Sequence, residues 1–495
     1  MRKLVKMLFL GIVIAVVPLH AQITFEKWYG GPSYEYANTV DQTADGGYII
    51  AGFTLSYGAG TSDVYLVKTD AYGDTVWTKT YGRDSGDCSI SVAQTSDGGY
   101  IVVGWTESWD ANCDVWLIKI DASGDTIWTK TYGGGLLDSG VSVAQTIDGG
   151  YIIAGYTESY GAGDYDVYLI KTDAYGDTIW TRTYGGFDME IGLSVAQTAD
   201  SGYIIVGYTD SYGAGSFDVY LIKTDSVGDT AWTKTYGGTN VDIGVEVAQT
   251  TDNGYIIAGY TYSYGAGDYD VYLIKTDADG NSIWTRTYGS DSGDCGNSVA
   301  QTADGGYIIA GWTNSHGAGL CDVYLIKTNS VGDTAWTKTY GGVYDETGNS
   351  MALTTDGGYV IAGYTDSYGS GGDFYLIKTD ANGNGGINEK EAGQRSAKKN
   401  WNLCTYPNPF SMQTNIRLTI HDTRYTIPDK QNTTLMIFDV TGRLVKDLSS
   451  DLESGIMEHI LWSGTDQSGR AVPPGVYFVR LGDGSAVTEK IVKTK

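Results

Sequence analysis

The stretch Gly150-Tyr151-Ile152-Ile153-Ala154-Gly155-Tyr156-Thr157 occurs seven times in closely related form. Its first tyrosine recurs as Tyr48, Tyr100, Tyr151, Tyr203, Tyr255, Tyr307 and Tyr359, in steps of 51 or 52 residues. A fixed period of this size marks a solenoid, a propeller or an array, because one repeat cannot bury its own apolar face and must stack on copies of itself. The copy from Ser142 to Gly185 holds four runs rich in Val, Ile, Tyr, Trp and Thr, bounded by Gly, Asp or Asn. That is the pattern of short strands joined by turns. The middle runs are apolar at successive positions, which suits a sheet covered on both faces. Tight Gly turns link runs one and two and runs three and four, whereas the other links are longer. All long loops therefore fall on one face.

Two partial repeats decide between a ring and an open solenoid. The seventh copy ends with the run Asp373 to Thr379 and lacks a fourth, while Phe25-Glu26-Lys27-Trp28-Tyr29-Gly30 supplies a spare fourth run ahead of the first copy. Joining them closes a circle and leaves no open edge. The expected fold is all-β: a seven-bladed propeller over residues 22–385, four strands per blade, with the amino-terminal strand completing the last blade.

Residues 1–21 read as a secretory signal, with Arg2, Lys3 and Lys6 before an apolar run from Met7 to Val17 and Ala21 before the cut. No later run approaches the roughly 18 apolar residues of a membrane-spanning helix. Residues 22–389 hold 48 of the 59 Asp and Glu and 15 of the 32 Lys and Arg, a balance of −33. Such a surface repels nucleic acid. Cations, basic partners and uncharged glycans remain, beside plain solubility of an extracellular protein.

Cys88 and Cys113 lie in copy two, and Cys295 and Cys321 at matching places in copy six. Each pair runs from the loop before run one to the loop between runs two and three. An exported protein keeps disulfides, so two intrablade bridges are expected, Cys88 with Cys113 and Cys295 with Cys321. A metal site has no histidine nearby. Cys404 is left over, as a free thiol or an intermolecular link.

Residues 386–400 read as a linker by composition. Asp380, Asn382, Asn384 and Glu391 have the spacing of an EF-hand calcium loop, yet Asp380-Ala381-Asn382-Gly383 is also the seventh copy of the turn after run three. No other cofactor is expected. Residues 401–495 carry little net charge, most of the prolines and alternating runs such as Thr434-Leu435-Met436-Ile437-Phe438, which reads as a separate small β-sandwich. Four of its motifs are Tyr406-Pro407-Asn408-Pro409-Phe410, Phe438-Asp439-Val440-Thr441-Gly442-Arg443, Gly475-Val476-Tyr477-Phe478-Val479-Arg480 and Lys490-Ile491-Val492-Lys493. In this order they resemble the carboxy-terminal sorting domain of type IX secretion cargo. The stretch from Trp462 to Gly475 is similar to the immunoglobulin-like domain of flagellar hook-capping proteins. The resemblance implies passage across an outer membrane with this domain as the address, secretion machinery as partner, and removal of the domain with attachment to the cell surface.

An acidic residue stands at one place before run one in every copy: Glu35, Asp87, Asp138, Glu190, Asp242, Asp294 and Glu346. In a propeller these would ring the channel mouth and hold a cation or a basic ligand, or else accept N–H bonds within their own loops. A second ring is aromatic: Tyr57, Trp109, Tyr160, Tyr212, Tyr264, His316 and Tyr368, between runs two and three. Aromatic rings there suit sugar or peptide binding, or packing over the Gly-Ala-Gly loops. Catalysis needs a unique constellation, and these copies offer one histidine and no nucleophile set apart from the repeat. Asp188 with Glu190 is the best lead to a glycoside-active enzyme. The reading is an exported, monomeric binding or adhesion module, attached to the surface, that takes a glycan or protein on its long-loop face. The alternatives are that enzyme or a purely structural surface component.

Overall fold

A computed structural model describes residues 23–108, 112–369, 371–385, 401–406, 411–420, 434–440, 443–449, 457–482 and 487–494. The chain divides into two compact units, residues 1–387 and 388–495.

The first unit is seven antiparallel four-stranded sheets. In the third blade the strands run Asp138–Gln145, Tyr151–Thr157, Asp166–Thr172 and Thr178–Tyr184 from the inside outward. The third strand of every blade is buried along its whole length, whereas the outer strand is half exposed. Neighbouring blades supply the cover: Ile152 and Leu169 of blade three pack with Ile205 and Tyr220 of blade four. This is why the middle runs are apolar on both faces. Phe25–Tyr29 pairs antiparallel with Asp373–Thr379, Phe25 opposite Lys378 and Tyr29 opposite Phe374. The ring is closed as the partial repeats require.

Strand one begins earlier than the sequence pattern indicates, at the acidic residue itself. Asp138 pairs with Thr157, and a bulge follows between Gly140 and Ser142. The same bulge recurs in all seven blades. One extra residue breaks the two-residue alternation, so the four residues ahead of Ser142 do not read as strand.

Polar side chains stitch each blade and join it to the next. The buried Lys171 ammonium holds Asp148 Oδ2 at 3.0 Å and the Thr172 carbonyl at 2.8 Å, tying the first turn to strand three. Ser142 Oγ accepts the Val195 N–H of the next blade (3.2 Å), and Gln197 Oε1 accepts the Ile147 N–H (2.9 Å).

The second unit is a sandwich of a three-stranded sheet (Trp401–Tyr406, Thr414–Ile420, Met457–Trp462) and a four-stranded sheet ordered Leu444–Asp447, Thr434–Asp439, Gly475–Gly482, Val487–Lys493. Its core gathers Ile416, Leu435, Ile437, Trp462, Val479 and Ile491.

Candidate functional site

The seven acidic residues are fully buried. Glu190 accepts the Gly186 N–H and the Thr209 hydroxyl, both at 2.6 Å, and the Ser211 N–H at 3.1 Å. Asp138, one methylene shorter, takes the Gly134 N–H (2.8 Å) and the Ser159 hydroxyl (2.7 Å) instead. These carboxylates tie the entry of strand one to the end of strand two and face no channel water, so they do not form the expected channel-mouth ring. Each also lies near the first aspartate of strand three in the preceding blade. A Cβ on Gly133 would stand 1.9 Å from Asp114 Oδ1 and 2.7 Å from Asp138 Oδ2, so only glycine passes between the two carboxyls. Burial, with Asp87 as a further cause, raises the Asp63 pKa; Asp218 and Asp270 are raised in the same way.

The aromatic ring is half exposed and latched. Tyr160 donates its hydroxyl to the Gly133 carbonyl at the end of the preceding blade (2.7 Å) and packs on Tyr168 at 5.8 Å. Tyr57, Tyr212, Tyr264 and Tyr368 repeat the bond, to Gly30, Gly185, Gly237 and Gly341. His316 repeats only the ring contact, on Tyr324. Trp109 lies outside the described residues. Glu190 of the enzyme lead is spent on these internal bonds, while Asp188 is exposed.

The expected disulfides are not formed. Cys88, Cys113, Cys295 and Cys321 are thiols, and Cys88 and Cys295 lie in strand one rather than in a loop. The Cys88 S–H donates to the Ser89 carbonyl (3.5 Å) and the Cys295 S–H to Asn297 Oδ1 (3.1 Å), so both are bonded to their own strand. Burial pushes Cys88, Cys113 and Cys321 up to about 12, which leaves little of the reactive thiolate at neutral pH. Denaturing the protein with iodoacetamide and no reductant is therefore expected to alkylate all four, as read by peptide mass spectrometry. Recovery of Cys88 linked to Cys113 would restore the bridge.

Asp380 Oδ1 accepts the N–H groups of Asn382 and Asn384, both at 2.8 Å, as Asp173 does for Tyr175 and Asp177 in blade three. Asn384 donates an amide N–H to Asp380 Oδ2 (2.8 Å), so both oxygens of Asp380 are engaged within the turn. Glu391 lies outside the described residues. Among the described residues no group of three or more His, Cys, Asp or Glu is placed to hold a metal ion.

The repeat breaks down at the axial mouth, which sequence reasoning missed. The bulged residue of strand one is aliphatic in blades two to five (Ile90, Val141, Leu193, Val245) and asparagine in blades six, seven and one (Asn297, Asn349, Asn38). Each asparagine donates Nδ2–H to a carbonyl of the next blade: Asn297 to Gly348 (3.0 Å), Asn349 to Ala37 (2.8 Å) and Asn38 to Ser89 (2.8 Å). Above them opens a cavity of about 430 Å³ walled by Tyr36, Tyr260, Tyr262, Tyr269 and Trp312. Tyr262 and Tyr269 lie 4.8 Å apart, and Tyr269 meets Trp312 edge to face at 5.7 Å. A smaller cavity of about 280 Å³, which Arg83, Ser108 and Trp116 help to line, lies at the seam of blades one and two.

In the second unit Tyr477 is buried and donates its hydroxyl to the Pro473 carbonyl (2.7 Å). Arg443 Nε–H reaches Asp439 Oδ2 at 3.0 Å across the turn. Gly475 opens the central strand, and Lys490 is exposed on the edge strand. Tyr406 ends a strand; Pro407, Asn408, Pro409 and Gly442 lie outside the described residues.

Over 269 residues the chain is 23% identical to regulatory protein FlaEY of Caulobacter vibrioides, covering 48% of this chain and 28% of that protein. It thus spans little more than a quarter of that relative's length. Among solved structures it is similar to PorZ, described as an essential bacterial surface component of the type-IX secretion system of Porphyromonas gingivalis, at 11% identity over 94% of this chain and 60% of that one (TM-score 0.42). It is also similar to a puromycin hydrolase, at 12% identity over 80% and 61% (TM-score 0.46). Both are likenesses of fold alone. Residues 405–494 match the family described as secretion system C-terminal sorting domain. The carboxy-terminal unit is therefore a sorting domain of the type IX kind, and the propeller that carries it is a secreted protein.

Proposed function

We propose that the propeller is a binding module that takes a glycan or protein at the axial mouth of its long-loop face. One observation carries this reading: seven near-copies diverge at the mouth, where the asparagines of three consecutive blades, flanked by Val245 and Ile90 of the blades on either side, line a cavity of about 430 Å³. That volume falls within the roughly 300–1,000 Å³ of small-molecule sites, and the cavity at the blade seam does not. A group repeated in every blade serves the blade; side chains that depart from the repeat in one sector are those free to serve a ligand. An enzyme is the weaker reading, because Glu190 is buried under its own loop.

The test is binding of the exported protein to an array of surface polymers and envelope proteins, with calcium and with a chelator. Trp312→Ala is expected to reduce binding at least tenfold, on the order of one lost aromatic anchor. Ile147→Ser, on the opposite face and 90% exposed, is expected to leave it unchanged. Equal loss in both variants, or none in Trp312→Ala, places the ligand elsewhere.

A further inference from the structure

We infer that the axial cavity takes an uncharged sugar residue, inserted end-on from the long-loop face with its hydroxyls against the asparagine wall and its apolar edge against Ile90 and Val245. The inference rests on the proposed reading of the mouth as the binding site and adds the chemical class of the ligand.

Charge decides the class. Residues 22–389 hold 48 acids and 15 bases, yet no residue lining the cavity is ionisable as Asp, Glu, Lys, Arg or His. The position of Tyr262 shows how this arises. After the last residue of strand two stand Glu107, Glu158, Asp210 and Asp366 in four other blades, and Tyr262 replaces that acid where the cavity opens. A cation or basic peptide would meet no counter-charge inside the cavity, and an anion would meet the field of the surrounding carboxylates with no cation to desolvate it.

The donor and acceptor pattern then narrows the class further. Asn297 Oδ1 accepts the Cys295 S–H (3.1 Å) and Asn349 Oδ1 the Tyr36 hydroxyl (3.3 Å). An amide oxygen has two lone pairs and an amide nitrogen two hydrogens. Each of these asparagines spends one hydrogen on the next blade and so keeps a donor and an acceptor for a hydroxyl group. A ligand with many hydroxyls on one side matches that wall; a plain hydrocarbon leaves the amides unpaired, at a cost. The flanking side chains of Ile90 and Val245 and the ring faces of Tyr269 and Trp312 suit the C–H edge of a sugar ring, since an aromatic face carries partial negative charge. A pyranose combines both edges in one rigid body.

The experiment titrates the exported protein, by calorimetry, with maltotriose, cellotriose, N,N′,N″-triacetylchitotriose and tri-galacturonate. At least one neutral trisaccharide is expected to bind and tri-galacturonate to remain silent. Tyr262→Glu introduces the acid that four other blades carry, at a side chain 44% exposed, so the melting temperature should stay put while neutral-sugar affinity falls roughly tenfold or more, as for loss of an aromatic contact and gain of an unpaired charge. Asn349→Ala should weaken the same sugar by about tenfold through its hydroxyl contact. Silence of every neutral probe, or binding untouched by Tyr262→Glu, overturns the inference. If Trp312→Ala still abolishes capture of an envelope protein while the sugars are silent, the mouth remains the binding site and only the sugar class falls. If nothing depends on Trp312, both readings fall.

Discussion

Deleting residues 23–30 is expected to open the ring and remove most of the propeller's stability. Phe25–Tyr29 is the outer strand of blade seven, and it covers Phe374, Tyr375 and Leu376 of the adjacent strand, each at most 1% exposed. It also clamps blade seven to blade one. The Tyr29 hydroxyl donates to the Gly73 carbonyl at 2.7 Å, the Lys27 ammonium reaches Asp74 at 2.6 Å, and Phe25 packs edge-on against Tyr48 at 6.0 Å. Burial of a large apolar side chain contributes roughly 1.5–3 kcal/mol. Partial uncovering of these three, with loss of a ladder of backbone bonds, therefore costs on the order of 6 kcal/mol, against roughly 5–15 kcal/mol for a whole domain. The exposed ion pair adds little beside that. Urea unfolding of the variant should show a midpoint far below that of the intact protein or no cooperative transition, and a synthetic peptide of residues 23–31 added in trans should restore it. An unchanged midpoint would mean that the seam between blades seven and one holds without the strand.

The closing strand was legible because it is a fragment of a pattern stated six more times, and the repeat made its absence from the seventh copy conspicuous. The same repetition hid the site. Tyr260 and Trp312, the counterparts of Tyr156, stand inside the most regular stretch of the chain, so they read as core, although they line the cavity. Asn38, Asn297 and Asn349 fall on the bulge, where alternation gives no inward or outward assignment. A column-by-column comparison of strand one would have exposed them, as three consecutive amides against four consecutive aliphatics. The aligned acids and tyrosines drew attention for the opposite reason: they recur at one place in the repeat, and the structure spends the seven acids and five of the tyrosines on bonds within the propeller wall. The cysteine expectation failed on a different point. Matching positions in two blades indicated proximity, but not the direction of each sulfur, and Cys295 turns to Asn297.

Replacing Glu246 with serine is expected to stabilise the protein at alkaline pH and to flatten its stability between pH 5 and pH 8. The other blades carry Thr39, Ser91, Ser142, Ser194, Ser298 and Ser350 at this level of the channel, and the hydroxyls of Ser91, Ser142, Ser298 and Ser350 accept an N–H from the next blade. Glu246 makes the same bond with a carboxylate oxygen, to the Val299 N–H at 2.5 Å. It is surrounded by protein yet partly reachable from the channel, and burial pushes its pKa up to about 7 from 4.5, against the lowering effect of the Ser298 and Val299 hydrogen bonds. The folded state therefore holds the proton more tightly than the unfolded chain does. Stability from this group is complete below about pH 4.5 and is lost as the pH rises through about 7. The gap corresponds to on the order of 3 kcal/mol, reduced to roughly 2 by channel water. Asp63, Asp218 and Asp270 are raised as well, but they are common to both proteins and cancel in the difference. Paired urea titrations should therefore show Glu246→Ser roughly 2 kcal/mol further ahead of the native protein at pH 8 than at pH 5. The same difference at both values would mean that the carboxylate is solvated in the channel and costs the fold nothing.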